Sequence, residues 1–130
     1  MCFICQDTQE HFAEEDIQVY KLLRYITSYE EGIAISHLVT YYQETPVTLY
    51  KLQPQVKIEI EEISNYYPSN RKTRLITEGY HSYKEPAYSR FIFPQAILYK
   101  AYIPKGTRYF ENDTEIVSEN LVITEKIKEI

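Results

Sequence analysis

No stretch of this 130-residue chain comes near the roughly 20 consecutive apolar residues that a membrane-crossing helix requires. Tryptophan is absent and methionine occurs once, so the aromatic content rests almost wholly on tyrosine. Three glycines and six prolines leave no linker and no low-complexity segment. Two cysteines are too few for a disulfide framework or a complete four-cysteine zinc site. No glycine-rich loop opens a helix, which excludes the usual phosphate cradles. The start, Met1 to Asp7, lacks the basic end and apolar middle of a signal peptide. These absences lead us to expect a cytoplasmic protein without membrane association, folded as one domain over residues 1–130.

Basic groups are the scarcer charge, 14 against 19 acidic, and the net charge of −5 argues against general nucleic-acid binding. The distribution is uneven. Residues 1–70 carry 4 basic and 11 acidic groups, residues 71–108 carry 8 and 2, and residues 109–130 carry 2 and 6. A basic centre between acidic ends either folds into a positive face or is neutralised across a sheet.

What the chain has in abundance is tyrosine, with fourteen residues. Tyrosine suits pleated, half-buried surfaces and keeps a hydroxyl for water or a partner. At this density some rings must be exposed, which points to partner binding or self-association.

The pattern of residues predicts an α+β fold, mostly an antiparallel sheet of about six or seven strands with one or two short helices. Ile17 to Ile26 is rich in strand formers and is expected to be a strand, although Leu22, Leu23 and Ile26 also fit a helix face. Thr27 to Gly32 has turn chemistry, and Ile33 to Tyr42 is ambiguous. Val47 to Tyr50 fits a short strand. Val56, Ile58 and Ile60 alternate cleanly with Lys57, Glu59 and Glu61, placing one face inward. Lys84 to Phe93 is expected to be a short helix entered at Glu85-Pro86. Ala96 to Ile103 is an apolar strand ending in the tight turn Pro104-Lys105-Gly106-Thr107. Asn112-Asp113 marks another turn, and Ile116 to Thr124 closes the sheet.

Candidate site residues gather in the second half. Tyr80, His81, Ser82 and Tyr83 form a polar, aromatic strand. His81 would need a carboxylate to act as a base, and its neighbour Ser82 points to the opposite face of the strand. Lys105 and Arg108 flank the Pro-Gly turn, where they could take a phosphate or carboxylate or simply be solvated. Cys2 and Cys5 could supply half of a zinc site only if His11, His37 or His81 folded back to them. No cofactor is expected, and no complete catalytic constellation can be written from these residues.

Two resemblances add to this reading. Cys2-x-x-Cys5, Asp16-Ile17-x-Val19-Tyr20-Lys21, Gly79-Tyr80-His81-Ser82-Tyr83 and Ile103 to Phe110 followed by Val117-Ser118 resemble a family of small uncharacterised proteins of gut bacteria and their phages. That likeness covers about a third of the positions, omits residues 27–73, and implies a fold unit without an activity. Ser82, Ala87, Ile103-Pro104-Lys105-Gly106 and Glu119 also resemble, in order and spacing, the strand motifs of ADP-ribosyltransferase-like folds. Val117 stands where those folds carry a second Glu or Gln. This second likeness implies a dinucleotide in a cleft, with His81 and Tyr83 at the nicotinamide ribose and Glu119 stabilising an oxocarbenium-like centre. Two expectations follow. One is a non-enzymatic interaction module using a basic, tyrosine-rich face on an acidic protein or a second copy of itself. The other is an active or degenerate nucleotide-binding enzyme of transferase-like fold.

Overall fold

The computed structural model describes residues 3–6, 10–41, 44–63, 73–76, 78–86 and 96–127. Period-two alternation of β-branched and aromatic residues with polar ones runs through these segments, and strands are what they form. In chain order they are β1 (Phe3–Gln6), β2 (His11–Phe12), β3 (Ile17–Glu30), β4 (Ile33–Thr40), β5 (Ile60–Ile63), β6 (Thr73–Ile76), β7 (Tyr80–Tyr83), β8 (Ile97–Ile103), β9 (Arg108–Glu111), β10 (Glu115–Ser118) and β11 (Val122–Lys126).

A small sheet has the order β1-β6-β5, and a large one runs β11-β8-β3-β7-β10-β9-β2, with β4 paired to β3. Every pairing is antiparallel, and the large sheet curls into a half-barrel. The expected α+β class is therefore corrected: the fold is nearly all β, and no helix occurs among the described residues. The strand expected at Ile17 to Ile26 is present within β3. Leu22, Leu23 and Ile26 would share one helix face, yet in β3 the residues from Ile17 to Leu23 find direct partners in β8. Those from Leu23 to Glu30 find them in β4. Cross-strand partners decide the conformation that local propensity leaves open. At the expected helix, Lys84 still sits on the ladder, donating its N–H to Thr114 O at 2.9 Å. Positions 87–93 of that expectation lie outside the described residues.

β3 organises the large sheet. Leu23 pairs with Ile97 on one edge and Thr40 on the other, and Tyr20 pairs with Tyr83. One edge of β3 is thus held by β8 along its first half. The opposite edge is shared by β7 and then β4. The main core is built from Val19, Leu23, Tyr99, Ala101, Ile103, Ile116, Leu121 and Ile123, among others. Burying each such side chain stabilises the fold by about 1.5–3 kcal/mol. A second cluster, Ile58, Ile76, Phe110 and Val117, joins the small sheet to β9 and β10.

Two turns match the sequence reading. Thr107 N–H donates to Pro104 O at 3.1 Å, with Gly106 at φ 89°. Asn112 Oδ1 accepts from the N–H groups of Thr114 at 3.0 Å and Glu115 at 2.8 Å, an Asx-type turn between β9 and β10. The turn expected at Thr27 to Gly32 is shorter. The strand continues to Glu30, and only Glu31 and Gly32 make the corner. The short strand expected at Val47 to Tyr50 is not formed, the alternating stretch from Val56 becomes a strand only at Ile60, and residues 50–58 form a strap over the sheet. Tyr50 N–H donates to Ile123 O at 2.7 Å, Gln53 N–H to Leu121 O at 2.9 Å and Val56 N–H to Glu119 O at 3.0 Å.

Candidate functional site

β7, β9 and β10 carry most of the residues singled out by sequence. Strand alternation puts Tyr80 and Ser82 on one face and His81 and Tyr83 on the other. Tyr80 opposes Ser118, and His81 opposes Val117, whose other neighbour is Phe110. Tyr80 is buried with its hydroxyl donating to Pro54 O, and burial raises its phenol above the ordinary range. Ser82 is buried as well, and its Oγ has no hydrogen-bond partner among the described residues.

Glu119, just after β10, and Arg108, on β9, come together against the strap. Glu119 Oε2 accepts from Ile58 N–H at 3.0 Å and from Arg108 Nη1 at 3.2 Å. Arg108 also lies 3.5 Å from Glu10 and 5.2 Å above the Phe110 ring. With 8% of its surface exposed, Glu119 is a tether whose Oε2 takes both donors. Tyr80, Arg108 and Glu119 therefore converge on one job, which is holding residues 54–58 against β10. Lys105 stands apart in the turn after β8, where its backbone N–H donates to Asp16 Oδ1 at 2.9 Å. Cys5 lies on β1 opposite Arg74 in the small sheet, and Cys2 is outside the described residues. Among the described residues no group of three or more His, Cys, Asp or Glu is placed to hold a metal ion.

Three cations of the basic block meet acids among the described residues. Lys84 lies 3.1 Å from Glu111, Lys100 lies 3.5 Å from Glu125, and Arg108 is shared between Glu10 and Glu119. Of the two readings of the charge distribution, neutralisation across the sheet describes these pairs.

One cation is withdrawn from water. Lys21 Nζ donates to His81 O at 2.6 Å, bridging β3 and β7. Burial lowers its ammonium to about 8, against a smaller opposing pull from Glu115. Burial in turn raises the Glu115 carboxyl, with Asn112 and Lys21 acting the other way.

Two open grooves lie on the surface. One, of about 510 Å³, is lined by His11, Phe12, Glu14, Asp16 and Tyr109 among others, with the His11 and Tyr109 rings stacked at 5.2 Å. The other, of about 370 Å³, runs past Gln18, Lys100 and Tyr102. Neither is lined by His81, Lys105 or Glu119.

The feature that sequence reasoning missed is the far half of the β3–β4 hairpin. Among the described residues β8 pairs no further than Leu23, so Arg24 to Glu30 and Ile33 to Val39 continue as a hairpin arm, met at its base by Pro46 and Val47 alongside Val39 and Leu38. Tyr25, Tyr29 and Ile33 on this arm are 56%, 74% and 65% exposed. The missed signal was the unbroken alternation through Tyr25, Thr27 and Tyr29 up to Glu31-Gly32, a pair suited to a two-residue hairpin corner. Comparison with protein-family models, with curated proteins and with solved structures finds no match. No helix among the described residues is long and apolar enough to cross a membrane.

Proposed function

We propose that this chain is a small, non-enzymatic cytoplasmic binding module that engages a protein partner by strand addition on the β3–β4 arm. The observation that carries the reading is the arm itself. Past Leu23, among the described residues, β4 is the only strand paired with β3. The other edge then offers a row of main-chain donors and acceptors flanked by exposed tyrosines. Edge strands are commonly protected by Lys, Pro or a bulge, and Arg24 to Glu30 contains none of the three. Catalysis has weaker support, because Glu119 is spent on Ile58 and Arg108.

A photo-crosslinking amino acid placed at Tyr29, with Tyr50 as the equally exposed control, tests this reading in the cell. Protein adducts at position 29 and not at 50 are expected. Absence of adducts at position 29 overturns the reading. So would a nicotinamide dinucleotide that raises the melting temperature, if His81→Ala abolished the rise.

A further inference from the structure

We infer that the strand added to this edge is β3 of a second copy, paired antiparallel about a two-fold axis at Thr27. The inference rests on the strand-addition reading above and names its partner. In that register residue 24 faces residue 30 of the other copy, and residue 25 faces residue 29. Arg24 then stands opposite Glu30, and Tyr25 opposite Tyr29, with each pair occurring twice by symmetry. Shifting the axis by one residue in either direction removes the Arg–Glu match, so charge selects both the partner and the register. Opposed residues share a face, so the match holds whichever alternate set of main-chain groups points outward. Arg24 lies 5.6 Å above the Tyr41 ring, and a contact with Glu30 would draw on the donors its present partners leave. Its Nε donates to Tyr41 O at 3.1 Å and its Nη2 meets Glu44, which leaves the remaining donors of the five-donor guanidinium. The result would be a continuous four-stranded ribbon, β4-β3 joined to β3-β4, with tyrosines along one side.

Sedimentation of the full chain over a range of concentrations is expected to show a monomer–dimer equilibrium. Glu30→Lys, at an exposed position, should weaken dimerisation at least tenfold by setting two cations against each other, with unchanged circular dichroism. The register has its own test in a Cys2→Ser, Cys5→Ser background. Directly opposed residues on paired antiparallel strands lie within disulfide reach. Thr27→Cys should therefore oxidise to a linked dimer at least tenfold faster than Ser36→Cys on the outer strand. A chain that stays monomeric, with equal rates for the two cysteine variants, overturns self-pairing. In that case adducts between position 29 and a different protein would leave strand addition standing, and no adducts would remove both.

Discussion

Glu119 and Ile58 are 61 positions apart in sequence, yet a carboxylate oxygen of one accepts the backbone N–H of the other at 3.0 Å. The same oxygen takes a guanidinium hydrogen of Arg108, so one side chain joins the strap, β9 and the end of β10. Removing it leaves a buried N–H without its acceptor and reduces the acidic partners of Arg108 to Glu10. The loss at the amide costs about 1–3 kcal/mol, and the weakened charge pairing adds to it. Glu119→Ala should therefore destabilise the protein by about 2–4 kcal/mol in urea unfolding. Arg108→Ala in the same background should add much less than it does alone, because the partners are shared. Full additivity of the two would show that they do not act together.

Lys21 yields a pH dependence whose sign follows from burial. Its ordinary value is 10.5, and in the fold it is about 8. Between those values the unfolded chain holds a proton that the folded chain has released, so stability rises with pH across that window. The full effect is on the order of 3 kcal/mol, since each unit is worth about 1.4 kcal/mol. Above pH 10 the raised phenols of Tyr80, Tyr99 and Tyr109 act in the opposite direction, because the unfolded chain ionises first. Comparing the wild type with Lys21→Met by denaturant unfolding between pH 7 and 10 isolates the lysine. The wild type should gain on the variant as pH rises, and parallel curves would refute the assignment.

How far the sequence could be read depended on whether a segment's fate is set locally. Asn112-Asp113 and Pro104 to Thr107 carry their turn chemistry in their own side chains and backbone, and both were legible. The strand expected at Ile17 to Ile26 was legible too and lies within β3, whereas Ile33 to Thr40 was ambiguous, because that strand is decided by its partner in β3. Of the inward face expected at Val56, Ile58 and Ile60, Ile58 is buried and Ile60 is exposed, and the alternation could not reveal that a glutamate side chain replaces a strand partner at Ile58. His81 and Glu119 looked chemical as residue types. Their roles depend on what lies opposite, namely Val117 for one and Ile58 and Arg108 for the other.

Gly79 precedes β7 at a place where a side chain has no room. Its φ is +116°, and a Cβ there would lie 2.8 Å from Val117 Cγ2 and 3.3 Å from Ser118 O. Backbone strain and overpacking each cost about 1–3 kcal/mol, and here both apply. Gly79→Ala should lower stability by at least about 2 kcal/mol in urea unfolding. Adding Val117→Ala, which opens the space, should cost less than its own effect predicts. A neutral Gly79→Ala would mean that β7 can shift away from β10.

The tip of the arm can be improved. Glu31 sits at φ 51° and Gly32 at φ 79°, the two positive values that a type I′ corner demands. Glycine accepts such a conformation without penalty, whereas glutamate must be held in it. Asparagine tolerates it better, so Glu31→Asn should stabilise the hairpin by about 0.5–1 kcal/mol. Because the arm extends beyond the β3–β8 ladder, the gain should appear locally before it appears in the melting temperature. Amide hydrogen exchange at Arg24 to Glu30 should slow by about threefold to fivefold in the variant. Exchange in β8 and β10 should stay unchanged. Equal slowing everywhere would show instead that the arm unfolds only with the whole molecule, and no slowing would show that the corner does not limit its opening.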